Sequence, residues 1–277
     1  MILEKINLKE HFPSLKNDVY LYSYCPSNYL EFCDKRKRKA VVILPGGGYV
    51  WLSDREAEPV ALRFAGNDIA SFVLKYSVAD NIELPVPFIE VFAALAYIRR
   101  NSDYYHVDEN KISVCGFSAG GHLASITSAF HQNKEYADLL NISLEEMKIN
   151  GCILGYPVIA NRYGHTGTFQ AISKGDEQLK EDLSVDKLVN DNYPKTFIWH
   201  TTFDSVVNVQ NSLVLASALS NHKIFYEMHI YPMLDHGQSL AERSVYSESY
   251  ISDEELAKMK YNTQWIANAI HFIKEYV

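Results

Sequence analysis

The chain has 277 residues, of which 47% are hydrophobic and 22% charged, a composition typical of globular domains that excludes a mostly disordered chain. It carries 34 acidic and 26 basic residues, for a net charge of −8. This balance argues against a nucleic-acid partner, because phosphates require clustered Lys and Arg. The one basic run, at 35–39, precedes a predicted strand, and we interpret it as a solvated turn that keeps a sheet edge soluble.

Neither a membrane segment nor a disulfide framework is predicted. The longest apolar run, at 91–98, is far shorter than the roughly 20 residues that span a bilayer, and the N-terminal residues lack the pattern of a signal peptide. The four cysteines have irregular spacing, which indicates neither disulfides nor a zinc site. Cys115 and Cys152 lie inside apolar runs and are predicted to be buried thiols. A reduced, cytoplasmic compartment fits this pattern best.

In chain order, two kinds of segment alternate. Strand-like apolar runs occur at 40–44, 70–76, 111–116, 150–155, 196–200 and 224–231, and helix-length segments at 55–66, 88–100, 119–131 and 209–221. A last amphipathic stretch, 256–276, places on one face Trp265, Ile266, Ala269, Ile270 and Ile273. Apolar strands separated by helices predict an α/β fold, with a mainly parallel, doubly wound sheet and helices on both faces. The alternating segment 18–25 predicts antiparallel edge strands.

Residues 157–194 separate two predicted strands by more than a normal connection. The segment is polar and contains glycine, with only a weak helix signal at 179–189. A long insertion after a strand usually shapes a binding site, so we predict that it forms a lid or a pocket wall. No linker rich in Pro, Gly or Ser divides the chain, and no internal repeat is present. We therefore predict a single domain over residues 1–277.

The most specific motif is Gly116-Phe117-Ser118-Ala119-Gly120, which follows a predicted strand and opens a predicted helix. A G-x-S-x-G motif in this context is the turn that holds a nucleophilic serine above a sheet, and the helix N-terminus favours negative charge. The alternative is a Gly-rich phosphate loop, which would need glycine in place of Ser118 and an N-terminal βαβ unit. The motif therefore predicts Ser118 as a nucleophile.

A second signal is the run Gly46-Gly47-Gly48 at the end of strand 40–44. Consecutive glycines permit successive N–H groups to converge on one point, which is how an oxyanion hole is built. The N–H of the residue after the nucleophile, Ala119, would complete it. Alone, three glycines more often form a turn; their position ahead of Ser118 favours the oxyanion hole.

A serine nucleophile needs a base, and His236 is the strongest of the ten histidines. It follows strand 224–231 in a loop that leads towards the last helix, and in this fold the base comes last in the chain order Ser, acid, His. His122, inside the helix after Ser118, is predicted to pack or support, and His200, within a strand, to be a core residue. His165, in the insertion, is a weaker candidate for the pocket.

For the acid we select Asp204, which follows strand 196–200 and obeys the same chain order. A helix N-cap or a simple loop carboxylate are the alternatives for this residue. Asp235 is the immediate neighbour of His236, but successive side chains of an extended segment point to opposite faces. Asp235 is therefore the weaker candidate.

The chain resembles the α/β-hydrolase superfamily, and more narrowly the small bacterial acetyl esterases and acetylxylan or feruloyl esterases near the hormone-sensitive-lipase-like group. The resemblance rests on three motifs, Pro45-Gly46-Gly47-Gly48-Tyr49, the segment 116–124, and Trp199-His200-Thr201 leading to Asp204 and Val207. It implies the α/β-hydrolase fold, with Ser118 as nucleophile, Asp204 as acid and His236 as base. It also implies an oxyanion hole formed by Gly47, Gly48 and Ala119.

These patterns predict a serine esterase that hydrolyses short-chain acyl esters, acetyl above all, of carbohydrates or other small alcohols. The expected partner is a small ester such as an acetylated sugar; no metal or organic cofactor is expected, and a homodimer is one option for the oligomeric state. One alternative is a peptidase of the prolyl-oligopeptidase type, which usually carries a large extra domain. The other is a catalytically inactive binding protein on a hydrolase scaffold, although such proteins normally lack a triad residue.

Overall fold

In a computed structural model that describes residues 1–163, 166–232, 234–247 and 251–277, the chain forms an eight-stranded sheet. The strands are β1 (Ile2–Asn7), β2 (Tyr20–Cys25), β3 (Arg38–Leu44), β4 (Ala70–Lys75), β5 (Val107–Phe117), β6 (Gly151–Gly155), β7 (Lys195–Thr201) and β8 (Tyr226–Tyr231). Their spatial order is β1-β2-β4-β3-β5-β6-β7-β8. Neighbouring strands from β4 to β8 are parallel, whereas β2 is antiparallel to both β1 and β4. The predicted mainly parallel sheet is confirmed; β1 is an edge strand that the sequence analysis does not predict.

Helices connect most of the parallel strands. Those in the described residues are α1 (Glu58–Ala65), α2 (Val86–Arg100), α3 (Ser118–Phe130), α4 (Lys134–Leu140), α5 (Leu144–Met147), α6 (Thr166–Ser173), α7 (Glu177–Asp182), α8 (Gln210–Asn221), α9 (Asp253–Met259) and α10 (Gln264–Tyr276). The predicted helices 88–100, 119–131 and 209–221 correspond to α2, α3 and α8. The predicted helix 55–66 begins later, as α1, because a 3₁₀ turn at Asp54–Glu56 precedes it. The short helices α4 and α5 are not predicted.

Both faces of the sheet are covered. In β3, Val42 belongs to one buried apolar cluster, whereas its neighbours Val41 and Ile43 belong to another. Successive side chains of a strand point to opposite faces, so the two clusters lie on opposite sides of the sheet. Helices α2, α3 and α8 contribute to the first cluster, and α1 and α10 to the second. The predicted doubly wound α/β arrangement is confirmed.

The predicted helix 256–276 is two helices, so the prediction of one continuous helix is wrong. Helix α9 begins with a capping box formed by Ser252 and Glu255 and ends at Met259. Helix α10 begins at Gln264 and buries all five residues that the amphipathic pattern selected. The apolar stripe begins at Trp265, so the residues before it have no continuous face to bury against the sheet.

The insertion 157–194 contains more helix than the sequence predicts. It holds α6, α7 and a 3₁₀ turn at Val185–Lys187, and of the predicted helix 179–189 only the part up to Asp182 is α-helical. Asp176 caps α7 by accepting from the N–H of Leu179 at 3.0 Å. After Asp182 the chain turns to bury Val185, which ends the helix. The single domain over 1–277 stays a prediction.

The basic run 35–39 is only partly a solvated turn. Residues 35–37 are exposed, but Arg38 is the first residue of β3 and is 4% exposed. Its guanidinium donates to Asp68 Oδ1 at 2.6 Å and to Asn28 Oδ1 at 2.5 Å. The interpretation that the run protects a sheet edge is wrong, because β3 lies in the middle of the sheet and Arg38 is neutralised inside the protein.

The structure also tests the predictions about buried thiols and membrane segments. Cys115 and Cys152 are buried free thiols, as predicted, and so are Cys25 and Cys33. Across the described parts of the chain, none of the helices has the length and apolar character needed to cross a bilayer.

Replacing Arg38 with Ala should lower the free energy of unfolding by about 1.5–3 kcal/mol, because it removes the hydrogen bonds that a buried guanidinium donates to Asp68 and Asn28. Arg36→Ala is the matched control. Arg36 donates to the same Asp68 at 2.7 Å, but that pair is exposed and should contribute less than about 1 kcal/mol. Urea unfolding at neutral pH measures both variants, and equal losses would contradict this account of the basic run.

Candidate active site

Ser118 lies where β5 ends and α3 begins. Its backbone φ is 53°, in the left-handed region, where a non-glycine residue costs about 1–3 kcal/mol. The flanking glycines permit the sharp turn: a Cβ at Gly116 would lie 2.1 Å from the carbonyl oxygen of Gly120, and a Cβ at Gly120 would lie 2.1 Å from that of Leu44. The chain therefore holds the Ser118 hydroxyl at the carboxyl edge of the sheet, as expected for a G-x-S-x-G turn.

His236 lies in the loop after β8, and its ring contacts both of the other residues selected from the sequence. Its Nε2 is 2.8 Å from Ser118 Oγ, and its Nδ1 is 2.7 Å from Asp204 Oδ2. With the proton on Nδ1, the ring donates to Asp204 and accepts from Ser118. The ring of Tyr156 packs edge-on against His236, with 4.9 Å between the centroids. The structure thus brings together residues from three separate loops in one hydrogen-bonded line.

The side chain of Asp204 is buried, and both of its oxygens accept hydrogen bonds. Oδ1 accepts from the N–H groups of Val206 at 3.0 Å and Val207 at 2.7 Å. Oδ2 accepts from His236 and lies 3.3 Å from His200 Nε2. Burial alone would raise the pKa of the Asp204 carboxyl, but the bonds from His200 and His236 outweigh it and hold the pKa well below its ordinary value. The carboxylate therefore stays ionised at neutral pH beside the imidazole.

The structure shows different contacts for Asp204 and Asp235, the two candidates for the acid. The N-cap of α8 is Val209, so Asp204 does not cap that helix; one of its oxygens closes a turn and the other faces the imidazole. Asp235 Oδ1 accepts from the N–H of Ser205 at 2.9 Å, from its hydroxyl at 2.7 Å and from the backbone N–H of His236 at 2.8 Å. Asp235 thus contacts the backbone of His236, while Asp204 contacts its ring.

His122 links two loops beside the site, in the packing role predicted for it. Its Nδ1 is 2.9 Å from the hydroxyl of Tyr49, and its Nε2 is 2.9 Å from the carbonyl oxygen of Leu183. Burial lowers the pKa of His122 to about 4, so the ring is neutral at physiological pH. Tyr49 follows the glycine run, and Leu183 belongs to the insertion 157–194. His122 therefore connects the glycine run to the insertion. His165 lies outside the described residues.

The glycine run lies beside Ser118. The N–H of Gly46 donates to Glu56 Oε2 at 2.7 Å. Gly47 and Gly48 have φ values of 130° and 65°, which glycine adopts without strain, and both line the same cavity as Ser118. Ala119 occupies the first turn of α3, where backbone N–H groups have no partner within the helix.

The cavity above Ser118 has a volume of about 420 Å³. Its lining consists of Gly47, Gly48, Val50, Trp51, Ser53, Arg55, Glu56, Ser118, Gly167, Val206, His236 and Gly237. Gly167 belongs to the insertion 157–194, which therefore forms part of the cavity surface. Within the described ranges, no group of three His, Cys, Asp or Glu residues is arranged to hold a metal ion.

Two buried residues make contacts in the site that the sequence does not predict. His200 is predicted to be a core residue of β7, and it is buried there with its Nδ1 2.8 Å from Ser212 Oγ. Its contact with Asp204 depends on the turn after the strand, which the sequence does not predict. Glu56 lies in the exposed-looking segment Asp54-Arg55-Glu56 yet is 3% exposed. Only the folded structure shows that its carboxylate lies against the glycine run.

The fold and the geometry of the site define the class. The sheet order, the serine turn after β5 and the histidine loop after β8 are those of the α/β-hydrolase fold. Within that class, the chain belongs to the BD-FAE family, whose family model matches residues 28–219.

Known proteins support this assignment. The chain is 34% identical over 77% of its length to an endo-1,4-beta-xylanase B of Butyrivibrio fibrisolvens, and 27% identical over 78% of its length to an acetylxylan esterase of Xylanibacter ruminicola. It spans only 34% and 44% of those two proteins. Among solved structures, an acetyl ester-xyloside bifunctional hydrolase of Caldicellulosiruptor lactoaceticus matches with a TM-score of 0.80 and 29% identity, covering 98% of this chain and 95% of the other.

Replacing Asp204 with Asn should remove a contribution to stability that depends on pH. The pKa of Asp204 is lower in the folded protein than the value of about 3.9 in an unfolded chain, so the ionised carboxylate favours folding above about pH 5, and this contribution is lost as the pH falls through 4 and below. The gap in unfolding free energy between the wild type and Asp204→Asn should therefore shrink between about pH 5 and pH 3, as measured by urea unfolding.

Asp235→Asn is the control for this measurement. Asp235 lies next to His236, and bonds from Ser205 also lower the pKa of its carboxyl. Because Asp235 is exposed, its contribution to the unfolding free energy should be smaller. A gap for Asp204→Asn that stays constant or grows on acidification would contradict the account of the buried carboxylate.

Proposed function

We propose that the chain is a serine esterase that removes a short acyl group, acetyl above all, from a carbohydrate or another small alcohol through an acyl-enzyme. The observation that carries this proposal is the line of hydrogen bonds from Ser118 through His236 to Asp204, with distances of 2.8 and 2.7 Å. Ser118 and His236 also line the cavity, so an ester held there would meet the hydroxyl and its base together.

In the first step, Ser118 Oγ attacks the ester carbonyl carbon while His236 Nε2 takes the hydroxyl proton. The resulting imidazolium is stabilised by Asp204, which also holds the ring tautomer through Nδ1–H. The proton on Nε2 then passes to the oxygen of the departing alcohol as the bond between carbon and that oxygen breaks. The acyl group remains bound to Ser118 as an ester.

The negative charge of each tetrahedral intermediate requires hydrogen-bond donors that are already in place. We assign this role to the N–H groups of Gly47, Gly48 and Ala119. The N–H of Gly46 donates to Glu56 and is therefore occupied, whereas Gly47 and Gly48 follow it along the cavity wall. The N-terminal end of α3 adds a favourable field for the anion.

In the second step, water attacks the acyl-enzyme. His236 takes a proton from the water and returns it to Ser118 Oγ as the carboxylic acid departs. The groups that these steps require are supplied by the chain, the ester substrate and one water molecule, and we assign no cofactor to them.

The proposed substrate class rests on the cavity and on the relatives. Trp51 is 56% exposed and Val50 is 58% exposed, and both line the cavity; exposed apolar side chains beside a pocket mark binding surfaces. The flat ring of Trp51 suits the apolar face of a sugar ring. The named activities of the relatives, acetylxylan esterase and acetyl ester-xyloside hydrolase, involve acetyl esters and xylose units. We assign the insertion 157–194, through Gly167, as a wall of this pocket.

The wild type should hydrolyse 4-nitrophenyl acetate with a higher kcat/KM than the octanoate and should release acetate from acetylated xylo-oligosaccharides. Ser118→Ala should lower kcat for the acetate by a factor on the order of 10⁴–10⁶, because only binding and the oxyanion donors remain. Initial rates across acetyl, butyryl and octanoyl esters, with titration of released acetate for the oligosaccharides, measure both effects.

Ser128→Ala is the matched control, because Ser128 is buried on the same helix and its hydroxyl donates to Ala124 O at 2.8 Å; its activity should equal that of the wild type. Retention of most activity in Ser118→Ala would overturn the serine mechanism. A maximum at eight carbons would overturn the assignment to short acyl groups, and a wild type inactive on every ester would instead support the binding-protein alternative.

A further inference from the structure

A buried carboxylate that the steps above do not use connects two parts of the site. Glu56 is 3% exposed and lies in the 3₁₀ turn Asp54–Glu56, before α1. Its Oε2 accepts from the N–H of Gly46 at 2.7 Å, and its Oε1 accepts from the hydroxyl of Tyr156 at 2.6 Å. A carboxylate with both oxygens bonded to different loops holds those loops at a fixed distance from each other.

At one end of this connection is the glycine run. A Cβ on Gly46 would lie 2.8 Å from Glu56 Oε2 and 3.0 Å from Ser118 Cβ, so the carboxylate, the glycine and the proposed nucleophile are closely packed. The N–H of Gly46 points to Glu56, and the chain then turns through Gly47 and Gly48 along the cavity. The position of Gly46 therefore sets where the next two amides lie.

At the other end is the loop that carries His236. The Tyr156 hydroxyl, which donates to Glu56, accepts from the N–H of Ser239 at 2.8 Å, three residues after His236. The carbonyl oxygen of Ser239 accepts from Trp265 Nε1 at 2.9 Å. The ring of Tyr156 also packs against the His236 ring. Tyr156 therefore fixes both the backbone and the ring of the histidine loop relative to Glu56.

The electrostatic setting favours this bridging role. Burial raises the pKa of the Glu56 carboxyl, and the bonds from Tyr156 and Gly46, together with the nearby His236 and Arg55, act in the opposite direction. A buried carboxylate that lost either donor would be left with an unsatisfied oxygen. The two donors and the carboxylate therefore stabilise one arrangement of the two loops.

We propose that Glu56 is a positioning residue, whose carboxylate fixes the loop of proposed oxyanion donors relative to the loop of the proposed base. The inference rests on the proposed function, because it concerns the geometry of the same reaction. Donors and base must be held within a fraction of an ångström of their productive positions, and a shift of about 1 Å can lower the rate on the order of 10²-fold.

The first test is Glu56→Gln. Glutamine has the same shape, but one carboxylate oxygen is replaced by an NH2 group that only donates. That group would face another donor, either the N–H of Gly46 or the hydroxyl of Tyr156. We expect kcat for 4-nitrophenyl acetate to fall about 10- to 100-fold with KM changed by less than about twofold. We expect the rate at which a fluorophosphonate labels Ser118 to fall by a similar factor, since this attack also builds negative charge at the oxyanion donors.

Glu58→Gln is the matched control. Glu58 is an exposed carboxylate two residues further on, and it accepts from the Tyr24 hydroxyl at 2.9 Å, so it repeats the Glu–Tyr pair away from the cavity. This variant should keep the kcat and labelling rate of the wild type. A Glu56→Gln enzyme within about threefold of the wild type in kcat, or one that loses only thermal stability, would overturn the proposal.

Tyr156→Phe gives a second, independent arm, which keeps the ring on His236 and removes the link to Glu56 and Ser239. If both residues act through one bridge, combining Glu56→Gln with Tyr156→Phe should add little. The kcat of the double variant should then be less than about threefold below that of the slower single variant. Multiplied losses would overturn the proposal. Where Glu56→Gln proves poorly folded, Tyr156→Phe alone tests the bridge, and a kcat within about threefold of the wild type would overturn the proposal. A wild type that the fluorophosphonate does not label would refute the proposed function, and this inference with it; a labelled wild type with an unaffected Glu56→Gln would refute this inference alone.

Discussion

The site depends on the parallel arrangement of β3, β5, β7 and β8, because parallel strands place their carboxyl ends at the same edge of a sheet. The glycine run follows β3, Ser118 follows β5, Asp204 follows β7 and His236 follows β8. These residues are far apart in the chain and meet only because the sheet order sets those four strand ends close together. Helices on both faces hold the strands in that order, so the geometry of the site is a property of the whole sheet.

Two buried carboxylates at this edge differ in the hydrogen bonds that they accept. Asp204 accepts from two backbone N–H groups and faces two imidazoles, and its pKa is lowered despite burial. Glu56 accepts from one amide and one phenol, and burial raises its pKa. The number and charge of the donors decide the direction. Asp204 is therefore suited to stabilise a charged imidazole, and Glu56 to hold two loops in place.

The sequence predicts the features that depend on local pattern and chain order. Apolar periodicity predicts the central sheet, the G-x-S-x-G turn selects Ser118, and the order of strands selects Asp204 and His236. What it does not predict depends on contacts between distant segments. The sequence places Arg38 in a solvated basic run, but the fold places it in a central strand beside Asp68. Glu56 lies in a charged segment, and only the turn before α1 buries it. The edge strand β1 likewise depends on its antiparallel pairing with β2, a tertiary contact that propensity alone does not determine.

Trapping the acyl-enzyme would show whether Ser118 carries the acyl group during turnover. The wild type would be mixed with excess 4-nitrophenyl acetate, quenched in acid within the first turnovers, and examined by intact mass and peptide mass spectrometry. We expect one added acetyl group, located on the peptide containing Ser118, that decays when the substrate is exhausted and does not form in Ser118→Ala. Stable acetylation at another residue, or turnover by Ser118→Ala at the wild-type rate, would show that Ser118 does not carry the acyl group.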